Sequence, residues 1–235
     1  MSEIGERLAR VQARIAAAAR RAGRDPAAIT LVAVSKTVPP DRIKDAVAAG
    51  VAVLGENRVQ EAQEKVEALG RLAQWHMVGH LQTNKAKLAV RLFDTIHSLD
   101  STKLALELDR HAGALGKRMP CLVEVNQGGE LTKSGLTEEG LLPFLREAAG
   151  LANIRILGLM SVPPFLEDPE DVRPYFRRLR ALRDAAAAAG IAGLRLEHLS
   201  MGMSHDFEVA VEEGATLVRV GTAIFGERRY GSAPH

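Results

Sequence analysis

The sequence predicts an α/β protein whose strands close into one (β/α)8 barrel, a TIM barrel, with an extra helix at the N-terminus. Short apolar runs rich in β-branched residues alternate with helical segments, and this order is typical of parallel strands joined by right-handed crossovers. Eight such strands fit within 235 residues, a usual length for a barrel of this kind. No linker or change of composition divides the chain, so we expect a single domain over residues 1–235. A doubly wound open sheet is the alternative.

The first element is an amphipathic helix over residues 2–23, where apolar residues such as Ile4 and Leu8 recur every three or four positions. Gly23 and Pro26 end it. The predicted strands cover residues 29–36, 51–54, 75–78, 94–97, 119–125, 154–160, 194–199 and 216–220. The predicted helices between them cover residues 39–49, 57–69, 82–92, 101–115, 137–149, 169–189 and 204–213, and most are followed by a glycine that suits a helix end.

The composition is that of an ordinary soluble globular protein, with 46% hydrophobic and 26% charged residues. The 31 basic and 29 acidic residues are scattered along the chain, so neither a nucleic acid nor a membrane is indicated as a partner. Cys121 is the only cysteine, which excludes an internal disulfide and suits a reducing compartment. The N-terminus has no apolar segment long enough for a signal peptide. We therefore expect a cytoplasmic protein.

One apolar run, Ile29–Lys36, ends abruptly in a lysine and is followed by two prolines. It predicts a strand covered on both faces, as strands of parallel sheets are. Period-two alternation places Lys36 on the face of Val32 and Val34, at the rim of a core. An ordinary role for such a lysine is to cover apolar surface with its stem while the ammonium reaches water. The rest of the sequence favours a chemical role.

Active sites of these barrels lie at the C-terminal ends of the strands. The loops after the seventh and eighth predicted strands are Ser200–Ser204 and Gly221–Thr222, which are rich in small and hydroxyl residues. Such loops bind phosphate, because glycines allow backbone N–H groups to approach an anion closely. The alternative for Ser204 is a helix cap.

A phosphate site beside a strand-end lysine predicts pyridoxal 5'-phosphate held as a Schiff base on Lys36. The amine must be neutral to attack an aldehyde, so its pKa must fall from the ~10.4 of an ordinary lysine. Arg219 is a second charge in an apolar run. It either faces outward toward a carboxylate on a covering helix, or faces inward toward the pyridine nitrogen, where a permanent cation would keep that nitrogen unprotonated and limit carbanion chemistry.

Other polar residues have simpler explanations. His76 and His80 have the spacing of a helical metal pair but fall on a strand and its turn, so structural roles are favoured and no metal is expected. Asn57 is explained as a helix cap without any ligand. The Lys133-Ser134-Gly135 loop either contacts phosphate or is simply solvated.

Seven separated motifs resemble the YggS/PROSC group, the pyridoxal phosphate homeostasis proteins, whose barrel is similar to the N-terminal domain of alanine racemase. The resemblance covers essentially the whole chain. The motifs are LVAVSKTVP, GENRVQEA, WHMVGHLQTNK, KSG, GLMSVPP, LSMGMSHDF and RVGTAIFG. The family pattern is loose in the loop that holds Gln127 and Leu131.

The resemblance implies that Lys36 carries the cofactor and that Arg219 faces its pyridine nitrogen. It also implies two groups of cofactor-binding residues, with Ser200, Gly221 and Thr222 at the phosphate, and Asn57, His80 and Met201 close to the ring.

The same resemblance implies a role in holding and delivering pyridoxal phosphate, with effects on vitamin B6 and amino-acid balance and without catalytic turnover. Racemases of the related type take a second acid/base group from a separate C-terminal domain, and only about fifteen residues follow the eighth predicted strand here. We therefore expect a monomer that lacks a second base, with apoenzymes dependent on pyridoxal phosphate as possible recipients. The alternatives are an amino-acid racemase that uses the same lysine, and a sugar-phosphate enzyme without pyridoxal phosphate.

Overall fold

The computed structural model describes residues 2–128 and 134–226 and contains a closed barrel of eight parallel strands. Each strand pairs with its neighbours in chain order, and β1 pairs with β8 to complete the circle. The strands are β1 Thr30–Val34, β2 Val53–Glu56, β3 Gln74–Met77, β4 Thr95–Leu99, β5 Met119–Glu124, β6 Ile154–Met160, β7 His198–Ser200 and β8 Leu217–Val220. The predicted barrel is confirmed, and the open sheet is excluded.

Helices surround the barrel, and one of them precedes the first strand as predicted. They are α1 Glu3–Arg21, α2 Pro40–Ala48, α3 Val59–Leu69, α4 Ala86–Leu92, α5 Thr102–Gly113, α6 Glu138–Ala148, α7 Pro169–Ala188, α8 Phe207–Glu212 and α9 Thr222–Phe225, with 3-10 turns at Pro26–Ala28 and Thr83–Lys85. No helix in the described part of the chain is long and apolar enough to cross a bilayer.

The extra helix α1 packs against the helices α2, α8 and α9. Ser2 caps α1 by accepting a hydrogen bond from Gly5 N–H at 3.2 Å. The apolar face of α1 is buried, and the guanidinium of Arg14 lies 4.7 Å from the centre of the Phe207 ring on α8. Helix α1 thus rests on the two short helices that follow β7 and β8.

The seventh strand begins later than the sequence predicts. Residues 194–197 are not paired in the sheet, and β7 covers only His198–Ser200. Gly190 and Gly193 both have positive φ and turn the chain just before this segment. Leu196 is nevertheless buried, so its apolar character reflects packing without sheet pairing.

The barrel interior is apolar in one part and polar in another. Six buried apolar side chains form its apolar cluster: Val32, Val53, Val78, Leu122, Met160 and Leu217. Four buried polar side chains from four strands lie on the same inner side of the sheet: His76, His97, Ser200 and Arg219. A barrel interior is normally filled with branched apolar residues, so this polar group is a departure from the usual interior.

Candidate functional site

A cavity of about 730 Å³ opens among the loops that follow the barrel strands. Five of the eight cofactor-binding residues named from the sequence line it: Lys36, Asn57, Arg219, Gly221 and Thr222. Apolar side chains, including Val162 and Phe165, complete the wall. The structure thus brings together one lysine, one buried arginine and a glycine loop from elements far apart in sequence.

Lys36 lies two residues beyond the end of β1 and is half-buried in the cavity wall. The chain turns sharply at this point, because the N–H of Val38 donates to the carbonyl oxygen of Ser35 at 2.9 Å. Ser35 is fully buried, and its hydroxyl donates to Oε1 of Glu56 at 2.6 Å. Lys36 is therefore held between a fixed strand end and a tight turn.

Arg219 faces into the barrel, which decides between the two orientations left open by the sequence. Its neighbours Val218 and Val220 pack in the outer layer, whereas its own guanidinium donates to Oγ of Ser200 at 2.6 Å and to the carbonyl oxygen of Ser161 at 2.8 Å. Burial lowers the pKa of Arg219 to about 10, against the opposing effect of Glu124 and other carboxylates. It therefore remains a cation at neutral pH.

A chain of hydrogen bonds continues from Arg219 across the interior. Oγ of Ser200 lies 2.9 Å from Nδ1 of His97, and Nε2 of His97 lies 3.0 Å from Nδ1 of His76. Burial lowers the pKa of His76 to about 4 and that of His97 well below its ordinary value. Both imidazoles are therefore neutral at pH 7. Two neutral rings and one hydroxyl support the guanidinium without adding charge.

The loops after β7 and β8 meet at the hydroxyl of Ser204. Its Oγ accepts hydrogen bonds from the N–H groups of Gly221 at 3.2 Å and Ala223 at 3.4 Å. The cap of α8 is Asp206, so Ser204 does not cap that helix as the alternative reading held. Two backbone N–H groups thus converge on one oxygen, as they do in loops that bind anions, and the acceptor here is the Ser204 hydroxyl.

Three of the residues named from the sequence do not line the cavity. Ser200 is fully buried beside Arg219, with its hydroxyl engaged by Arg219 and His97. The side chain of Met201 is fully buried in the outer apolar layer. His80 is exposed and lies 3.2 Å from a carboxylate oxygen of Asp100.

Asn57 lies in the cavity wall and is not a helix cap. The cap position of α3 is Arg58, which makes no side-chain cap bond. Gly79, after β3, packs directly on Asn57, and a Cβ at Gly79 would lie only 2.6 Å from the Asn57 carbonyl oxygen. A glycine at position 79 thus allows the loop after β3 to support Asn57.

The structure describes only part of the loop that follows β5, which holds the Lys133-Ser134-Gly135 motif. Lys133 and Leu131 lie outside the described residues. Ser134 donates to Oε1 of Glu124 at 3.1 Å, and the Gln127 amide donates to the carbonyl oxygen of Tyr175 at 3.0 Å.

Sequence reasoning missed a charged cluster directly behind the Lys36 turn. It consists of Glu56, Glu61 and Lys65, and the Lys65 ammonium lies 2.6 Å and 2.7 Å from the two carboxylates. One signal was available, because Lys65 stands in the apolar stripe of α3 between Ala62 and Leu69. His97 was also missed, since a lone histidine on a strand gives no sign of its partners.

Comparison with known proteins places this barrel in a family. The family model of the alanine racemase N-terminal domain matches residues 7–229. The pyridoxal phosphate homeostasis protein of Aquifex aeolicus is 51% identical over 226 residues, which cover 96% of this chain and 98% of the relative. The protein of the same name from Pseudomonas aeruginosa is 43% identical and is covered to 99%, as is this chain.

Solved structures with the same barrel fold include members of the same groups of proteins. PipY of Synechococcus elongatus, solved with PLP bound, has a TM-score of 0.85 and 39% identity, with 95% of this chain and all of that chain covered. Alanine racemase from Corynebacterium glutamicum has a TM-score of 0.66 at 16% identity, with 96% of this chain and 63% of that chain covered, and shows the shared fold alone.

The fold and the cavity define a class, the alanine racemase-type barrel, here with a lysine in the turn that follows its first strand. Within this class, the chain belongs to the family of pyridoxal phosphate homeostasis proteins, because two relatives of that name are 51% and 43% identical to it over nearly their whole length. The family indicated by the seven sequence motifs is thereby confirmed.

Proposed function

We propose that this chain binds pyridoxal 5'-phosphate as a Schiff base on Lys36 and holds it as part of intracellular vitamin B6 and amino-acid homeostasis, without turnover of its own. The observation that carries the proposal is the placement of Lys36, Arg219 and the Gly221 loop on one cavity wall. A protein that holds the cofactor for delivery needs recipients, and we propose apoenzymes that depend on pyridoxal phosphate. A cytoplasmic monomer is part of the same proposal.

The residues present fit the cofactor. Pyridoxal phosphate supplies an aldehyde that condenses with a neutral amine, and water is released as the C=N bond forms. The residue that would provide the amine is Lys36, after losing a proton. Arg219 would hold the pyridine nitrogen unprotonated, since a cation at this position disfavours a second positive charge. An unprotonated ring withdraws electrons weakly, which suits storage better than catalysis.

The phosphate would bind at the loops after β7 and β8. The N–H groups of Gly221 and Ala223 converge on Oγ of Ser204, and Thr222 lines the cavity beside them. An anion that took the place of Ser204 Oγ as acceptor would meet N–H groups that are already oriented. Ser200, which the sequence assigned to the phosphate, is better suited to holding Arg219, because its hydroxyl is used by Arg219 and His97.

The main test is replacement of the lysine. Lys36→Ala should abolish covalent attachment, detected by borohydride reduction and mass spectrometry, while leaving the fold intact because Lys36 is only half-buried at a rim. Lys103→Ala, which removes an exposed lysine of α5, is the control and should retain the adduct. An adduct that persists in the Lys36→Ala protein, or wild-type protein that forms none, would contradict the proposal.

A racemase remains the second candidate because one cavity residue could serve as a second base. Among the described lining residues, the ionisable groups are Lys36, Arg42, His205 and Arg219. Nε2 of His205 donates to the carbonyl oxygen of Glu167 at 2.9 Å, which leaves Nδ1 as an acceptor. Exchange of the α-proton of L-alanine in deuterated water separates the two functions. Exchange abolished by both Lys36→Ala and His205→Gln would favour the enzyme.

A further inference from the structure

A second lysine, Lys65, is buried directly behind Lys36 and outside the cavity. Lys65 on α3 has a side chain only 7% exposed, and its ammonium donates to the carbonyl oxygen of Ser35 at 2.6 Å, to Oε1 of Glu56 at 2.6 Å and to Oε1 of Glu61 at 2.7 Å. An ammonium has three N–H donors, and all three are used. A lysine is rarely buried unless it is paired in this way.

One of these acceptors belongs to the turn that contains Lys36. The carbonyl oxygen of Ser35 also accepts the Val38 N–H, so Lys36 and Thr37 are the two central residues of a β-turn. Thr37 has a φ of +63°, and it is the only non-glycine residue of the described chain with positive φ. A β-branched side chain is disfavoured in this conformation, which therefore needs external support.

The cluster of Lys65, Glu56 and Glu61 supplies that support. The N–H of Thr37 donates to Oε1 of Glu61, the oxygen that Lys65 also contacts. Although burial opposes it, hydrogen bonds from Lys65 and from Thr37 N–H lower the pKa of Glu61, so its carboxylate is charged at neutral pH. The turn is thus fixed at Ser35 by Lys65 itself and at Thr37 by its carboxylate partner.

We propose that Lys65 is a positioning residue for Lys36: it fixes the Ser35–Val38 turn from outside the barrel so that the Lys36 amine enters the cavity in the orientation that the cofactor requires. This inference rests on the proposed function. The cluster contacts the backbone on both sides of Lys36 but does not line the cavity. Lys36, Thr37 and Val38 of the turn do line the cavity, so the cluster acts on the cavity only through this turn and the lysine that it carries.

The test removes the cluster without leaving a charge unpaired. The triple variant Lys65→Met/Glu56→Gln/Glu61→Gln keeps side-chain size, and each variant is made with Lys36 present and with Lys36→Ala. We expect the apparent affinity for pyridoxal phosphate to fall roughly ten- to hundredfold when Lys36 is present, and to fall by a much smaller factor when Lys36 is alanine. An equal loss in both backgrounds would overturn the positioning role, since it would show general damage to the cavity.

A milder variant covers the case in which the triple variant does not fold. Glu61→Gln weakens the acceptor of Thr37 N–H at a partly exposed position, and Glu64→Gln on the exposed face of the same helix is its control. Glu61→Gln should lower affinity in the same background-dependent way by a smaller factor, with no change for Glu64→Gln.

A readout in the ligand-free protein is independent of the cofactor. Amide hydrogen exchange at Thr37 and Val38 should accelerate in Glu61→Gln, while exchange in α5 stays the same. Unchanged exchange at the turn would contradict the inference. If wild-type protein forms no borohydride-trapped adduct, the proposed function fails. If wild-type protein forms the adduct but the cluster variants bind pyridoxal phosphate with the same affinity as wild type, only the role of Lys65 fails.

Discussion

Lys36 and Lys65 lie close in the fold but in opposite surroundings. Lys65 is enclosed by three oxygen acceptors. Lys36 lies at the wall of a cavity that also holds the charged Arg219. The contacts of Lys65 hold the backbone of a turn, whereas the position of Lys36 in the cavity lining is the one that the proposed Schiff base requires.

At the residue scale, Thr222 gives a direct test of the phosphate site. Its hydroxyl lines the cavity and has no hydrogen-bond partner among the described residues. Thr222→Ala should weaken binding of pyridoxal phosphate by ~1 to 3 kcal/mol, because hydrogen bonds to charged groups are worth about that much. Equilibrium titration of the purified protein measures the change.

A matched control removes a hydroxyl far from the cavity. Thr102 on α5 donates to Glu147 at 2.9 Å, and Thr102→Ala should leave the affinity unchanged. If Thr222→Ala also binds normally, the phosphate lies away from Thr222.

At the element scale, the site depends on loops that approach each other closely. The loop after β3 contacts the loop after β2 through Gly79, where no side chain fits against the Asn57 backbone. Secondary structure could be predicted from local patterns because each helix and strand follows its own periodicity. Contact between two loops could not, because it depends on barrel geometry. For this reason Asn57 was explained from sequence as a cap, whereas in the fold it is cavity wall.

Gly79→Ala should both destabilise the protein and weaken cofactor binding. The added Cβ would meet Asn57 Cα at 2.7 Å, so the two loops must separate, at a cost of about 1 to 3 kcal/mol in the free energy of unfolding. Urea denaturation measures this change, and titration measures affinity.

Gly150→Ala is the comparison variant for that experiment. Gly150 is exposed, its φ is not positive, and a Cβ there would meet only the Glu147 carbonyl oxygen at 3.5 Å. Its free energy of unfolding should stay within about 0.5 kcal/mol of wild type. Equal stability of the Gly79 and Gly150 variants would show that the two loops are not tightly coupled.

At the scale of the whole molecule, four strands contribute to the hydrogen-bond chain that supports Arg219. His76 is on β3, His97 on β4, Ser200 on β7 and Arg219 on β8. The chain crosses the barrel interior, so its integrity requires a closed barrel with this register. It also links global stability to pH, because both imidazoles are held neutral by burial.

Acidification should therefore destabilise the fold through His76. Below pH 6.5 an unfolded His76 binds a proton, whereas the folded one does not until about pH 4. The unfolded state binds more protons across this window, so the free energy of unfolding falls as pH falls, by roughly 3 kcal/mol at pH 4 from this residue. Urea denaturation between pH 7 and pH 4 tests this.

The same measurement on His76→Gln isolates the contribution of His76 to the pH dependence of the free energy of unfolding. Glu56 and Glu124, whose pKa values are raised by burial, act in the opposite direction, but they are common to both proteins and cancel in the difference. The advantage of wild type over the variant should shrink as pH is lowered. Parallel curves for the two proteins would show that His76 does not control the acid response.

The amino-acid sequence by itself determined the barrel, the place of Lys36 at a strand end, and the family. These depend on local periodicity and on motifs, which are written in short stretches of chain. Only the tertiary structure decided that Arg219 faces inward, that Ser200 supports it, and that Lys65 holds the turn around Lys36. Each of these depends on which groups from distant segments meet, and burial and hydrogen-bond partners are fixed only once the barrel has closed.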